Sequence, residues 1–183
     1  MTARRAGSPL TFGQLSVWRI MERHPFERWP ESYLRMPVPV PAGAGLHEVV
    51  GALDMLCARH ETLRTHFVDG DAGPRQLVAQ AGGGAEPVVV DRDEAGEQAV
   101  TSVCEELARD RIERSAEFGR RFAVLRVAGR PTHVAIVVDH IVADGYGLKR
   151  LRAELTSLLG GADHRGDRWL AEDPPPRPRE LAG

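Results

Sequence analysis

The chain has 183 residues, of which 42% are hydrophobic, and a formal net charge of -2 at neutral pH. That length and apolar content suffice for one domain with a core of its own, and the near balance of charge argues against a whole-surface nucleic-acid binder. No run of about 18 apolar residues occurs, so no membrane span is expected, and the basic start at Arg4 and Arg5 lacks the apolar stretch that a secretion signal needs.

Residues 1–10 read as a short disordered or extended lead-in. Phe12, Leu15, Trp18 and Met21 then recur at helical spacing behind Thr11, a candidate N-cap. Pro25 and Pro30 mark the exit. Tyr33 to Val40 alternates apolar and polar residues and then prolines, which remove ladder donors, so an edge strand is expected. Leu46, Val49, Val50, Leu53, Leu56 and Cys57 form an amphipathic helix. It runs into Arg59-His60-Glu61, and basic residues suit a helix C-terminus. Arg59 and His60 are therefore expected at a solvated helix end, with no part in catalysis.

Thr65 to Val68 and Arg75 to Ala79 read as strands around the turn Gly70-Asp71-Ala72-Gly73. Gly82 to Gly84 is a flexible loop, and Val88 to Val90 a short strand. Val100, Val103, Cys104, Leu107 and Ile112 mark another helix. Strands Arg121 to Val127 and His133 to Val138 are joined by Ala128-Gly129-Arg130-Pro131, a hairpin signal. The second of these is almost wholly apolar and should be central, covered on both faces. Leu148, Leu151, Leu155, Leu158 and Leu159 mark the last helix. After Gly160 the chain turns polar and proline-rich, which reads as an extended linker or tail. The organisation is thus a lobe over residues 1–160 and a tail over 161–183. The mixed order of elements, with an antiparallel pair, predicts an α/β (α+β) sandwich: a mixed sheet packed by helices.

Cys57 and Cys104 both fall on apolar helix faces and read as small buried hydrophobes. The seven histidines show no metal-ligand spacing, so no metal is expected. Lys149 is the only lysine, a usage that suggests a GC-rich bacterial genome.

The chemistry is concentrated in Val137-Val138-Asp139-His140-Ile141-Val142-Ala143-Asp144-Gly145-Tyr146-Gly147-Leu148. There a buried strand ends and a tight turn leads into a helix, a place where reactive side chains reach the mouth of a sheet. A histidine in that position can act as a general base near neutral pH, although pattern alone favours a structural role. Asp144 is placed to cap the helix. Gly145 and Gly147 would permit an unusual backbone angle and close approach of a substrate.

Asp139-His140-Ile141-Val142-Ala143-Asp144-Gly145 resembles the His-His-x-x-x-Asp-Gly signature of nonribosomal-peptide-synthetase condensation domains. Arg59-His60-Glu61-Thr62-Leu63-Arg64-Thr65-His66-Phe67 is similar to the family's Arg-His-Glu-x-Leu-Arg-Thr-x-Phe stretch at each fixed position. Leu10 to Trp18 resembles its opening Ser/Thr-x-x-Gln-x-x-x-Trp motif. The three stand in the family's order, and the resemblance covers roughly residues 9–160.

The resemblance implies a single chloramphenicol-acetyltransferase-like lobe, the N-terminal one of two that face each other across a tunnel. It implies His140 as the residue that deprotonates or positions an acceptor amine attacking a thioester. Asp144 would be held by an arginine, for which Arg64 is the candidate, with Gly145 completing this support. Asp139, Tyr146 and Gly147 are candidates for lining the tunnel; Trp18 and Phe67 are expected in the core. No cofactor is expected to be bound: phosphopantetheine would arrive as the arm of a peptidyl or acyl carrier protein in the cytoplasm.

Two departures stand out. Asp139 occupies the place of the motif's first His, where its carboxylate would favour a protonated imidazole through space. The second lobe is also missing, so the chain is expected to be a piece of a longer domain, to pair with a second lobe in cis or trans, or to self-associate. The alternative is a non-catalytic module that docks a carrier protein or a tailoring enzyme.

Overall fold

The computed structural model describes residues 7–80 and 84–160. In chain order the elements are β1 (Ser8–Pro9), α1 (Phe12–Met21), β2 (Leu34–Pro39), α2 (Leu46–Arg59), β3 (Thr65–Val68), β4 (Arg75–Val78), β5 (Val88–Arg92), α3 (Glu97–Leu107), β6 (Arg120–Val127), β7 (Arg130–Val138) and α4 (Gly145–Leu158). Short 3-10 turns cover Phe26–Ser32 and Glu61–Arg64.

Four strands form the main sheet in the order β2-β7-β6-β5, and β1-β4-β3 form a small one. Among the described strands only β5 with β6 is parallel; the other pairings are antiparallel. The main sheet is therefore mixed, with β2 at an edge and β7 inside, as the prolines of the first and the apolar run of the second predict.

Alternation along the inner strands divides the core into two layers. Phe122, Val124, Val134, Ile136 and Val138 pack with Leu53, Leu56, Leu151 and Leu155 from α2 and α4. Ala123, Leu125, Ala135 and Val137 pack with Val100, Val103 and Cys104 from α3. Full burial of each such Val, Leu or Ile contributes about 1.5–3 kcal/mol, so this three-layer arrangement is a stiff platform for what leaves the end of β7. Burial pushes the Cys57 thiol up to about 11, and both cysteines are free.

Local chemistry explains the element ends. At α1, Gln14 N–H donates to Thr11 Oγ1 and Thr11 N–H donates to Gln14 Oε1, a reciprocal capping box. Between β6 and β7, Ala128 (φ 49°) and Gly129 (φ 76°) both take positive φ. That is the signature of a two-residue primed turn, whose twist matches the flanking strands. Arg130 and Pro131, read above as part of the connection, consequently belong to β7.

Further expectations are corrected or sharpened. Ile112 lies beyond the end of α3; it is buried on the following segment, where its N–H donates to Tyr33 Oη at 2.7 Å. Of the two forms expected for the lead-in, Ser8 and Pro9 take the extended one, paired with Gln76 and Arg75 of β4. Arg59 is exposed at the end of α2, as expected, and reaches Glu154 of α4 at 3.0 Å; His60 is not solvated there, since its ring is largely covered and lies 2.6 Å from the same carboxylate. The ion pair suits the site because Glu154 is itself buried and needs cationic or N–H partners. Gly82, Gly83 and the tail 161–183 lie outside the described residues. Among those described, no helix is long and apolar enough to cross a membrane.

Candidate functional site

Asp139 to Asp144 carry the chain from the end of β7 into α4. Asp139 N–H donates to the Gly119 carbonyl at 2.9 Å, and the Asp139 carbonyl accepts from Val142 N–H at 2.9 Å. Its side chain accepts from Ile141 N–H at 3.0 Å. The same carboxylate is gripped by Arg114, whose Nε and Nη2 donate at 2.7 and 2.8 Å. The carboxylate thus accepts three N–H groups, two from Arg114 and one from the turn that bears His140. A bidentate, charge-assisted pair of this kind sets orientation as well as energy.

Asp139 is fully buried and Arg114 is 3% exposed. Arg114 in turn lies 4.4 Å from the Trp29 ring, and Trp29 Nε1 donates to the Met21 carbonyl. The backbone carbonyl of Arg114 accepts from Phe67 N–H. The clamp on the His140 turn is therefore anchored to α1, to the turn after it and to β3. Gly119 admits the turn: a Cβ there would collide with the Val142 side chain.

His140 lines a cleft of about 440 Å3 between the N-terminal turns of α1 and α4 and the C-terminal end of α2. Gln14, His60, Thr62, Asp144 and Tyr146 share its walls. The Nδ1 atom of His140 is buried and has no hydrogen-bond partner among the described residues. His66 Nδ1 is buried and unpartnered in the same way, so what distinguishes His140 is its place on the cleft wall. Imidazole both takes and gives a proton, so the arrangement can move a proton to or from a ligand in the cleft.

The clamp overturns two sequence expectations. Asp139 does not line the cleft; its carboxylate is consumed by Arg114, and its charge is offset there. Arg64 does not hold Asp144. The Arg64 guanidinium donates to the Ala79 carbonyl and approaches Glu61 at 3.6 Å, while Asp144 accepts from Gly147 N–H at 2.7 Å as the N-cap of α4. Asp144 is satisfied within its own helix turn, and the two Arg64 Nη groups are turned to Ala79 and Glu61, away from Asp144. Gly145 and Gly147 are ordinary helical residues without positive φ. Tyr146, 68% exposed, and Gly147 lie on the cleft wall.

Sequence reasoning missed Arg114, Gly119 and Glu154. Arg114 and Gly119 fall in an aperiodic connection before β6, where nothing in the local pattern distinguishes them. Glu154 sits among the leucines of α4, and a charge on an apolar face was the one available signal. Its burial acts to raise the carboxyl, but the His60 hydrogen bond and the charges of His60, Arg59 and Arg150 hold it below the ordinary value. Among the described residues no group of three His, Cys, Asp or Glu is placed to hold a metal.

No protein-family model matches the sequence. A nonribosomal peptide synthetase of Alternaria alternata, TES, is 29% identical over 161 residues, which is 86% of this chain and 3% of that protein. In structure the chain is similar to the first condensation domain of the CDA synthetase, with a TM-score of 0.70 at 16% identity over 85% of this chain and 40% of that one. It is also similar to the complex of the X-domain and OxyB from teicoplanin biosynthesis, with a TM-score of 0.67 at 22% identity, covering 100% of this chain and 37% of that one. The chain therefore spans about two fifths of the structures it matches and a far smaller share of the synthetase. At such identities the structural likeness is one of fold, and the fold is that of a condensation-domain lobe.

Proposed function

We propose, from its likeness in sequence and fold to condensation domains of nonribosomal peptide synthetases, that the chain is the N-terminal lobe of an amide-forming acyltransferase. Its substrates would be thioesters carried on the phosphopantetheine arm of a carrier protein, and a second lobe, in cis or in trans, would close the open cleft. The observation that carries this reading is the position of His140. It stands on a clamped turn at the end of an inner strand and lines the cleft. As the acceptor amine forms the C–N bond, His140 takes its proton; the C–S bond breaks, and the proton passes to the departing thiolate. Asp139 and Arg114 hold the turn, and Asp144 starts the helix behind it.

The test is product formation from a carrier-loaded thioester and an acceptor amine by the lobe together with its partner lobe. His140→Ala is expected to lower the rate by a factor on the order of 100 to 10,000, with the circular-dichroism spectrum unchanged. Unaltered product formation would remove His140 from the mechanism.

A second reading is favoured by one feature, the aspartate that replaces the first histidine of the signature and is engaged by Arg114 and by the Ile141 N–H. On this reading the lobe docks a carrier protein or a tailoring enzyme without catalysis; one neighbour in fold, the X-domain, is known in complex with OxyB. Calorimetry distinguishes the two: docking survives His140→Ala, and product formation is absent from the unsubstituted protein.

A further inference from the structure

We infer that the cleft presents a second imidazole to its ligand: His60, oriented by Glu154, uses its Nδ1 to accept a hydrogen bond from an N–H-bearing ligand. This rests on the cleft being the ligand site, as proposed above. His60 was expected at a solvated helix end. Instead its side chain is 11% exposed, its Nε2 lies 2.6 Å from Glu154 Oε2, and its ring lines the same cleft as His140.

The tautomer follows from the partner. Burial works to raise the Glu154 carboxyl, but the His60 hydrogen bond and the Arg59 and Arg150 cations act against it and the carboxyl is held below its ordinary value, so Glu154 is an ionised acceptor at neutral pH. An ionised carboxylate accepts only, so the proton belongs on Nε2. In the neutral ring Nδ1 is then a lone-pair acceptor, the one ring nitrogen Glu154 leaves for a ligand. A purely structural tie between α2 and α4 would not need an imidazole, because Arg59 already reaches Glu154 at 3.0 Å. The ligand chemistry that fits is an N–H donor, from either an amine or an amide of a pantetheine arm.

The experiment is imidazole nitrogen NMR on the whole chain at mildly alkaline pH, first alone and then with one of two probes. Pantetheine has amides and no amine; alanine methyl ester has an amine and no amide. The expected result is a His60 ring protonated at Nε2 whose Nδ1 resonance moves on addition of one probe, and the responding probe identifies the N–H source. Replacing both partners, His60→Leu with Glu154→Leu, leaves no buried orphan charge and should weaken that probe about three- to tenfold, the worth of one neutral hydrogen bond. A neutral His60 carrying its proton on Nδ1 overturns the inference. So does a probe that moves His140 and leaves His60 still, in which case the proposed function stands. If neither ring responds to either probe, the cleft of this chain takes no such ligand and the inference falls, while the proposed function is judged by product formation with the partner lobe.

Discussion

Arg114 and Asp139 meet as a two-pronged ion pair, at 2.7 and 2.8 Å, with neither side chain more than 3% exposed, and the aspartate is the residue immediately before His140. The pair explains how an aspartate can occupy the place of the first histidine of the signature. The carboxylate takes its own hydrogen bond from Ile141 N–H, so it shapes the turn from within while Arg114 holds it from without. Breaking one side of a buried pair leaves an uncompensated charge. Arg114→Met is therefore expected to destabilise the chain by about 3–5 kcal/mol in chemical denaturation. Asp139→His, which restores the signature, should also destabilise it, because it sets an imidazole against an unpaired guanidinium. A stabilised Asp139→His variant would disprove the clamp.

Much of the fold was legible because it rests on periodicity. The alternation in β6 and β7 and the helical stripe of α2 are forced by the need to bury one face, and a pattern of that kind is local. The clamp was not legible because its two halves stand 25 residues apart and only tertiary folding brings them together. Phe12 shows the limit from the other side: it continues the apolar spacing of Leu15, Trp18 and Met21 but lies at the first helical position, past the edge of the core, and is 90% exposed. The expected Arg64–Asp144 pair came from resemblance alone; each residue already had a nearer partner.

Glu154 gives the acid side of the stability profile a specific cause. Its folded pKa is depressed, so its contribution is complete above the unfolded carboxylate value of about 4.3 and is lost as pH falls through the lower folded value. Denaturation midpoints measured through that window should fall less steeply in Glu154→Gln than in the unsubstituted chain. Parallel acid limbs would show that His60 and Arg59 add nothing to the folded state.

Gly119 is required by contact rather than by backbone angle. Its carbonyl accepts from Asp139 N–H, and a Cβ on it would run into the Val142 side chain, which is itself buried. Gly119→Ala must push the 139–142 turn outward or force Val142 off its rotamer, so a loss of about 1–3 kcal/mol is expected. The companion Val142→Ala in the Gly119→Ala background should recover part of that loss, since it removes the colliding methyl. Equal stability of Gly119→Ala and the unsubstituted chain in urea would show that the turn is not packed this closely.

Asp144 allows the cap and the ion-pair accounts of the turn to be separated. As an N-cap it accepts from Gly147 N–H, and asparagine can do the same. Asp144→Asn is therefore expected to be nearly neutral, and Asp144→Ala to cost about 1 kcal/mol. A bond to Arg64 would need the charge, so it would make the asparagine variant costly too. A double-mutant cycle on Asp144→Ala and Arg64→Met should show additive effects within about 0.5 kcal/mol, because the Arg64 guanidinium is engaged by the Ala79 carbonyl and Glu61. A larger coupling energy would place Arg64 back against the turn and reassign the support of His140 from Asp139 to Asp144.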